Sequence, residues 1–548
     1  MLVSEAVGRA LVDAGIDHVF GVVGSGNFHV TVAMSAAGAR FVAARHEGGA
    51  ATMADAYART SGGPAALSVH QGCGLTNAMT GITEAAKSRT PLVVVAAEVT
   101  QPRSNFYVDQ DALARAVGAV PLRITSAQTA AREAVDAVHT AVHQRRAVVL
   151  NLPLELQALD AVDTAPPPLP SAPEPPRPAT ADVARLTAAL EDARRPVFVA
   201  GRGARSAAAR TAVLALAEQH GALLATSAVA KGLFHDEPWS LDVSGGFSSP
   251  LAAELIAGAD LIVGWGCALN MWTMRHGRLI APGATVVQVD DTPEAIGAHR
   301  QLGFGVLGDV GATARALLTA PAGAGEATGR GYRTPEVAQR LATQLRWRDV
   351  PYDDLTGAGR IDPRTLTIGM DDLLPAERVV SVDSGNFMGY PSMFLSVPDE
   401  RGFCFTQAFQ SIGLGLSTAI GAALAQPDRL PVAALGDGGA LMMAAELDTV
   451  RRLRLPMVVV VYNDDAYGAE VHHFAPTGQD LSSVTFPETD IAAIARGYGF
   501  TAITVRAPDD LAGVRHWLDG PRDTALLVDA KIVSSEPSWW LEEAFRGH

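Results

Sequence analysis

Residues 432–468 read VAALGDGGALMMAAELDTVRRLRLPMVVVVYNDDAYG, and this stretch decides the fold of the region around it. Two short apolar runs, Val432 to Leu435 and Met457 to Tyr462, are each followed by glycines and carboxylates. Strands that are apolar throughout are buried on both faces, which is typical of a parallel sheet covered by helices. Ligands of such sheets bind beyond the carboxyl ends of the strands. We therefore expect a ligand site at Gly436–Gly439 and Asn463–Gly468.

The same alternation of short apolar runs and Ala-rich helical segments continues along the whole chain. Six further runs predict strands: Ala66 to Val69, Leu92 to Ala97, Val197 to Ala200, Leu261 to Val263, Val286 to Val289 and Val379 to Val382. A proline-rich segment at Ala165 to Pro178 and a Gly/Ala-rich segment at Ala320 to Pro335 divide the chain. We predict an α/β protein with three doubly wound parallel-sheet domains, residues 1–164, 180–320 and 336–548.

The composition fits a soluble protein that acts on small molecules. The 548 residues carry 43 basic and 58 acidic side chains, a net charge of -15 with no Lys/Arg block, which argues against nucleic acid or an anionic membrane as a partner. No apolar run approaches the roughly 20 residues that a membrane span needs. The three separate cysteines form no CxxC pair and fit a reducing compartment. We expect a cytoplasmic protein without a targeting segment.

The two glycine-containing loops have the residue types of a diphosphate and metal site. Glycines let a backbone approach phosphate closely, and the first turn of the following helix presents N–H groups to the anion. Asp437 and Asp464 supply the hard oxygen ligands that Mg²⁺ prefers. Two solvated turns would contain the same residue types, so composition alone leaves both interpretations open.

The spacing of the two loops is more specific, because GDG is followed, one helix and one strand later, by Asn-Asp-Asp-Ala-Tyr-Gly. This pattern resembles the diphosphate-binding motif of thiamine diphosphate-dependent enzymes, which usually ends in Asn-Asn-x-Gly-Tyr. The resemblance implies a Mg²⁺ ion bound by Asp437, Asp464 and the carbonyl oxygen of Ala466. It also implies cofactor contacts at Gly436, Gly438, Gly439, Tyr467 and Gly468, and at Gly385 and Asn386 in another loop. Asp464 and Ala466 depart from the usual Asn and Gly.

Residues 45–59, RHEGGAATMADAYAR, resemble the family's R-H-E-x-x-A-x-x-M-A-x-x-Y-A-R segment. By that match Glu47 is the catalytic acid, a carboxyl that shares a proton with the coenzyme's aminopyrimidine ring. The family also places an apolar wedge at Ile412 and a carbonyl acceptor at Gln410. Family members bring these domains together between subunits. The resemblance therefore implies a homodimer or homotetramer with interfacial active sites.

Three features bear on the reaction. His70 follows a predicted strand, as in benzoylformate decarboxylase-like members, and Glu470 occupies the position of a carboxylate in pyruvate decarboxylase-like members. Both are assigned as catalytic proton donors, although a structural histidine and a solvated helix end are the simpler interpretations. Residues 51–62 and 76–98 resemble acetolactate synthase large subunits. Gln110 is a candidate for the active-site glutamine of carboligases.

We predict a thiamine diphosphate enzyme that decarboxylates a 2-oxo acid and transfers the resulting enamine to a second carbonyl, as acetolactate synthases do. One alternative is a decarboxylase that releases an aldehyde from an aromatic or branched 2-oxo acid. Another is a non-catalytic regulatory paralogue that binds the cofactor. Gly201-Arg202-Gly203 is half of a dinucleotide fingerprint, and the incomplete motif does not favour FAD, which some relatives bind in this domain. The roles of His472 and His473 stay open.

Overall fold

The structure, a computed structural model, describes residues 1–162, 170–321 and 331–544, with side chains through Leu541. It contains three six-stranded sheets, and every pairing between their strands is parallel. The predicted fold class is confirmed. Parts of both predicted linkers, residues 165–169 and 322–330, lie outside the described residues. In the described part of the chain, no helix is long and apolar enough to cross a membrane.

The first sheet has the strand order β2-β1-β3-β4-β6-β5. Its strands are β1 (His18–Gly21), β2 (Arg40–Ala43), β3 (Ala65–Val69), β4 (Leu92–Glu98), β5 (Val120–Arg123) and β6 (Ala147–Pro153). The helices are α1 (Val3–Asp13), α2 (Phe28–Ala36), α3 (Glu47–Ser61), α4 (Cys73–Lys87), α5 (Gln110–Ala116), α6 (Ala130–His143) and α7 (Leu154–Gln157). The chain moves from β1 to one side and returns to β3 on the other, so the carboxyl ends of β1 and β3 form the crevice where ligands of such sheets bind.

The central sheet has the order β12-β11-β10-β7-β8-β9, the strand order of a Rossmann domain. Its strands are β7 (Pro196–Ala200), β8 (Leu223–Thr226), β9 (Ser240–Val243), β10 (Leu261–Trp265), β11 (Thr285–Asp290) and β12 (Phe304–Leu307). The helices are α8 (Thr180–Asp192), α9 (Ala207–His220), α10 (Pro250–Ala257), α11 (Val310–Thr319) and α12 (Pro335–Gln344). Val337 and Leu341 of α12 pack into this domain's core, although the composition break predicted that α12 opens the third domain.

The third sheet has the order β14-β13-β15-β16-β18-β17, which repeats the order of the first. Its strands are β13 (Arg378–Val382), β14 (Phe403–Phe405), β15 (Leu430–Gly436), β16 (Val458–Asn463), β17 (Thr501–Val505) and β18 (Leu526–Lys531). The helices are α13 (Pro363–Leu373), α14 (Gly389–Phe394), α15 (Gly415–Ala425), α16 (Asp437–Met442), α17 (Leu447–Leu453), α18 (Gly468–Phe474), α19 (Ile491–Gly497), α20 (Ala512–Asp519) and α21 (Trp539–Ala544).

Helices α3 and α15 join the first and third domains in one apolar core. Both helices consist largely of small residues, and a Cβ at Gly421 would lie only 2.2 Å from the carbonyl oxygen of Met53. Glycine therefore permits the close approach of the two backbones. Because α3 and α15 each begin at the carboxyl edge of their sheet, this packing sets the two edges against each other.

Candidate active site

Three loops, which follow β13, β15 and β16, meet at the carboxyl edge of the third sheet. A Cβ at Gly436 would lie 3.1 Å from the Phe387 ring, and one at Gly438 would lie 2.6 Å from the Tyr467 ring. Gly385 has a φ of +140°, a conformation that side chains disfavour. The structure thus brings together the third-domain residues predicted to bind diphosphate and metal: Gly385, Asn386, Gly436, Asp437, Gly438, Gly439, Asp464, Ala466, Tyr467 and Gly468.

The carboxyl groups of Asp437 and Asp464 face each other within hydrogen-bonding distance. Burial raises the pKa of Asp437 to about 6. Burial and the negative charge of Asp437 raise the pKa of Asp464 well above its ordinary value. A divalent cation between the two would remove this repulsion. Among the described residues, no three His, Cys, Asp or Glu side chains form a metal cluster, so the other ligands would be backbone, coenzyme or water oxygens.

The backbone at Ala466 offers one such oxygen. Ala466 pairs with Thr485 in an isolated antiparallel bridge. The hydrogen bonds of this bridge use the N–H of Tyr467 and the carbonyl of Asp465, and they leave the carbonyl of Ala466 unused. The left-handed residue of this loop is Asp465, with φ +56°, so alanine replaces glycine at 466 without that strain. The loop residues fit a Mg²⁺ ion that also contacts a diphosphate.

Gln410 and Ile412 lie at the tip of the loop between β14 and α15, residues 406–414, which we call the arch. Gln410 has a φ of +62°, and the Ile412 side chain is exposed. The Asp383 carboxylate accepts hydrogen bonds from the N–H groups of Gly413 and Leu414, at 3.0 and 3.1 Å. Burial raises the pKa of Asp383 to about 6. The arch therefore presents an apolar side chain beside the glycine loops, as the predicted wedge requires.

Glu47 begins α3 at the carboxyl edge of the first sheet and is partly buried. The side-chain amide of Asn77 donates to Glu47 Oε2 at 3.0 Å. A Cβ at Gly74 would lie 3.5 Å from Glu47 Oε1 and 3.1 Å from the Cβ of His70. The two predicted catalytic side chains of this domain therefore both lie beside Gly74.

His70 directly follows β3. Its Nδ1 lies 3.1 Å from the carbonyl oxygen of Gln71, which can only accept, so Nδ1 carries the proton. Nε2 is then the acceptor, and it lies 3.5 Å from the hydroxyl oxygen of Ser25. The sequence analysis missed Ser25 and Asn77. The sequence Gly24-Ser25-Gly26 after β1, at the crevice of the sheet, was the available signal for Ser25.

Gln110 occupies a supporting position. Its side chain is buried, its Oε1 accepts the N–H of Gly72 at 3.2 Å, and its Nε2 donates to Asn151 at 2.7 Å. Both ends of the amide are therefore engaged in holding the turn between His70 and α4. Asn386 is engaged in a similar way, because its Oδ1 accepts the N–H of Ser538 at 2.9 Å.

Glu470 and His472 lie on different sides of α18. Glu470 is exposed, whereas His472 lines a cavity of about 370 Å³ whose walls all come from the third domain. Burial lowers the pKa of His472, and its Nε2 has no hydrogen-bond partner among the described residues. Within the described part of one chain, no hydrogen bond or ion pair joins Glu47 or His70 to the metal loops.

The glycines of Gly201-Arg202-Gly203 pack within the central domain. A Cβ at Gly201 would lie 2.3 Å from the carbonyl oxygen of Gly266, and one at Gly203 would lie 2.8 Å from the Cα of Gly266. The close approach of the loops that follow β7 and β10 thus accounts for both glycines without a nucleotide.

Comparisons with known proteins agree with this architecture. Residues 1–116, 183–317 and 383–522 match the N-terminal TPP binding domain, the central domain and the C-terminal TPP binding domain of thiamine pyrophosphate enzymes. The chain is 29% identical over 543 residues to a sulfoacetaldehyde acetyltransferase of Rhodobacter capsulatus, with 93% of this chain and 90% of the relative covered. It is 29% identical over 522 residues to a probable 2-ketoarginine decarboxylase of Pseudomonas aeruginosa, with 92% and 89% covered.

A third relative is the acetolactate synthase large subunit of Parasynechococcus marenigrum, 26% identical over 525 residues, with 90% of this chain and 82% of the relative covered. Each comparison extends over all three domains. The matched domains and the three parallel sheets lead to one conclusion: the chain belongs to the thiamine pyrophosphate (thiamine diphosphate)-dependent 2-oxo acid decarboxylase and carboligase family.

Proposed function

We propose that the protein is a thiamine diphosphate- and Mg²⁺-dependent enzyme that decarboxylates a 2-oxo acid and joins the remaining acyl unit to a second carbonyl compound. The observation that carries this proposal is the pair of facing carboxyls, Asp437 and Asp464, among glycine loops at the carboxyl edge of the third sheet. Similarity to an acetolactate synthase and to a sulfoacetaldehyde acetyltransferase supports the transfer step.

Asp437, Asp464 and the Ala466 carbonyl would hold the metal ion, and the glycine loops would hold the diphosphate. Gln410 and Ile412 would position the rings. Bound thiamine diphosphate would supply a carbon that becomes nucleophilic toward the 2-oxo acid once its proton is removed, and an electron sink for the loss of CO₂.

The first-domain residues would move protons. Asn77 holds Oε2 of Glu47 and leaves Oε1, which lies beside Gly74, to share a proton with a ring nitrogen. The Gln71 carbonyl fixes the tautomer of His70, so Nε2 is the atom that accepts and returns a proton. Glu470, exposed on α18, is proposed as a second proton donor.

We propose that each site is completed by a second subunit, in a homodimer or homotetramer. Glu47 and His70 lie in the first domain, and the metal loops lie in the third. Large apolar side chains are exposed near both sets, at Phe28, Phe106, Phe409 and Met442. A partner surface would cover them. The free cysteines fit the proposed cytoplasmic location.

A decarboxylase that releases an aldehyde is the second candidate. The pairing of His70 with Ser25 beside Glu47 favours it, because an imidazole in this position can deliver the proton that makes an aldehyde. Similarity to a probable 2-ketoarginine decarboxylase supports it as well.

Two measurements test the proposal. Calorimetry with thiamine diphosphate should show binding that requires Mg²⁺. A panel of 2-oxo acids, with and without acceptor aldehydes, should then yield hydroxyketones on mass spectrometry. Aldehydes alone would favour the second candidate, and the absence of coenzyme binding in the presence of Mg²⁺ would contradict both.

A further inference from the structure

Two fully buried carboxylates accept backbone N–H groups across the boundary between the first and third domains, and neither belongs to the site described above. Glu84 of α4 lies against the arch. Glu446, in the turn between α16 and α17, lies against the segment that precedes Glu47. Both residues are 0% exposed. A buried carboxylate is costly unless donors satisfy its oxygens, so the partners of each define what it does.

Glu84 holds the incoming side of the arch. Its Oε1 accepts the N–H of Ala408 at 3.0 Å, and its Oε2 accepts the N–H of Phe409 at 2.6 Å. Arg59 supplies the compensating charge, since its Nη2 donates to Glu84 Oε1 at 2.7 Å. Nη1 of Arg59 donates to the carbonyl of Phe405, so the network reaches the end of β14. The strained residue Gln410 follows directly.

Glu446 holds the turn before Glu47 in the same manner. Its Oε1 accepts the N–H groups of both Arg45 and His46, each at 3.0 Å. Its Oε2 accepts the hydroxyl of Thr449 at 2.6 Å. A Cβ at Gly49 would lie 2.6 Å from Oε1, so glycine at this position leaves room for the carboxylate.

The two contacts occupy equivalent places in the two domains. In each domain the carboxylate lies in the helical segment after the third strand, β3 or β15. Its target lies after the second strand of the other domain, β14 or β2. The helices that follow these targets, α15 and α3, pack against each other. These two reciprocal contacts therefore follow from one symmetric interface between two domains of the same topology.

We propose that Glu84 and Glu446 are positioning residues, each of which belongs to one of the two domains and holds a backbone segment of the other. Glu84 fixes the arch that presents Gln410 and Ile412, and Glu446 fixes the turn that presents Glu47. The consequence for the coenzyme rests on the proposed function. The anchoring of the two backbone segments does not.

The hydrogen bonds of the two residues differ in one way that an experiment can detect. Glu84 uses both oxygens on backbone N–H groups, so Glu84→Gln sets an amide NH₂ against one of those donors. Glu446 uses one oxygen for both N–H groups, so Glu446→Gln keeps them, and the Thr449 hydroxyl can accept from the new NH₂. Each substitution removes one buried charge, and Glu84→Gln also leaves Arg59 with Asp55 as its remaining carboxylate partner. The place where hydrogen exchange increases therefore separates a positioning role from a role limited to charge burial.

The test compares Glu84→Gln, Glu446→Gln and Glu446→Ala, with Glu98→Gln as a control. Glu98 is also buried and pairs with Arg123, on another strand of the first sheet. Hydrogen exchange of the coenzyme-free protein, followed by mass spectrometry, reports on peptides 404–412 and 43–48. Calorimetry reports thiamine diphosphate affinity in the presence of Mg²⁺.

In Glu84→Gln, exchange within 404–412 should rise about tenfold or more, and coenzyme affinity should fall by a similar factor, because one backbone donor loses its acceptor. Glu446→Gln and Glu98→Gln should change both quantities less than about threefold, since the backbone hydrogen bonds near the site are retained. In Glu446→Ala the increase in exchange should appear within 43–48.

Unchanged exchange within 404–412 in Glu84→Gln would overturn the proposal. So would equal effects of Glu84→Gln and Glu446→Gln, or an increase spread evenly along the chain. If the exchange pattern appears as expected while the wild-type protein binds no coenzyme, the positioning role is supported and the proposed function is contradicted.

Discussion

The first and third domains share one strand order, yet the halves of the candidate site that they carry differ in charge balance. In the third domain, burial raises the pKa of Asp437, and burial together with the charge of Asp437 raises the pKa of Asp464. In the first domain, Glu47 has a neutral partner in Asn77 and partial access to solvent. We propose that the third-domain half needs a cation to offset its two carboxylates, whereas the first-domain half needs none. We expect coenzyme binding to depend on the third domain and proton transfer to depend on the first.

Asp437→Ala should have the largest effect of the substitutions considered, a loss of coenzyme affinity. Loss of one of the two carboxylates should weaken Mg²⁺-dependent binding of thiamine diphosphate at least about 100-fold, which corresponds to about 2.7 kcal/mol. Calorimetry measures the affinity. Asp465→Asn is the matched control, because Asp465 lies in the same loop but pairs with Arg360 at 2.6 Å. Normal affinity of Asp437→Ala would refute the metal assignment.

Glu47→Gln should separate chemistry from binding. The amide cannot share a proton with the aminopyrimidine ring, so exchange of the coenzyme C2 proton should slow by about 10²-fold or more, while affinity changes little. NMR measures the exchange rate on the bound coenzyme. An exchange rate equal to that of the wild-type protein would end the assignment of Glu47.

His70→Ala should lower kcat about tenfold to 100-fold and leave coenzyme affinity unchanged, because the imidazole acts on protons and not on the diphosphate. Steady-state kinetics and calorimetry together make the comparison. His516→Ala, at an exposed position on α20 of the third domain, is the control. If His70→Ala and His516→Ala are equally active, His70 has a structural role.

Asp464→Asn should have the smallest effect, a change in the stability of the cation-free protein that depends on pH. Because the folded-state pKa values of Asp437 and Asp464 are raised, the cation-free protein binds more protons when folded and loses stability as pH rises through about 6. Asparagine removes one charge of the pair, which should stabilise the apoprotein by about 1 kcal/mol at pH 8 and by less at pH 5. Thermal unfolding in EDTA at both pH values measures this. An equal gain in stability at pH 5 and pH 8 would contradict the electrostatic coupling between Asp437 and Asp464.

Local patterns were enough to predict several parts of the molecule. Continuous apolar runs such as Leu92 to Ala97 predicted buried parallel strands, because burial on both faces requires apolar residues at every position. The one helix expected between the two glycine-containing loops is instead divided near Met443, where a short 3₁₀ turn carries Glu446 toward the first domain. The break accompanies the contact of Glu446 with Arg45 and His46 of the first domain, and the residues of the segment do not predict it.

The amino-acid sequence by itself determined the fold class and the residue types at the carboxyl ends of β2, β3, β15 and β16. These depend on strand burial and on the conformations that glycine and aspartate allow over a few residues. Only the tertiary structure decided that Gln110 is an internal support and that Glu84 and Glu446 reach across to the other domain. Their hydrogen bonds join residues separated by 324 and 401 positions, and such pairings arise from how the two sheets dock.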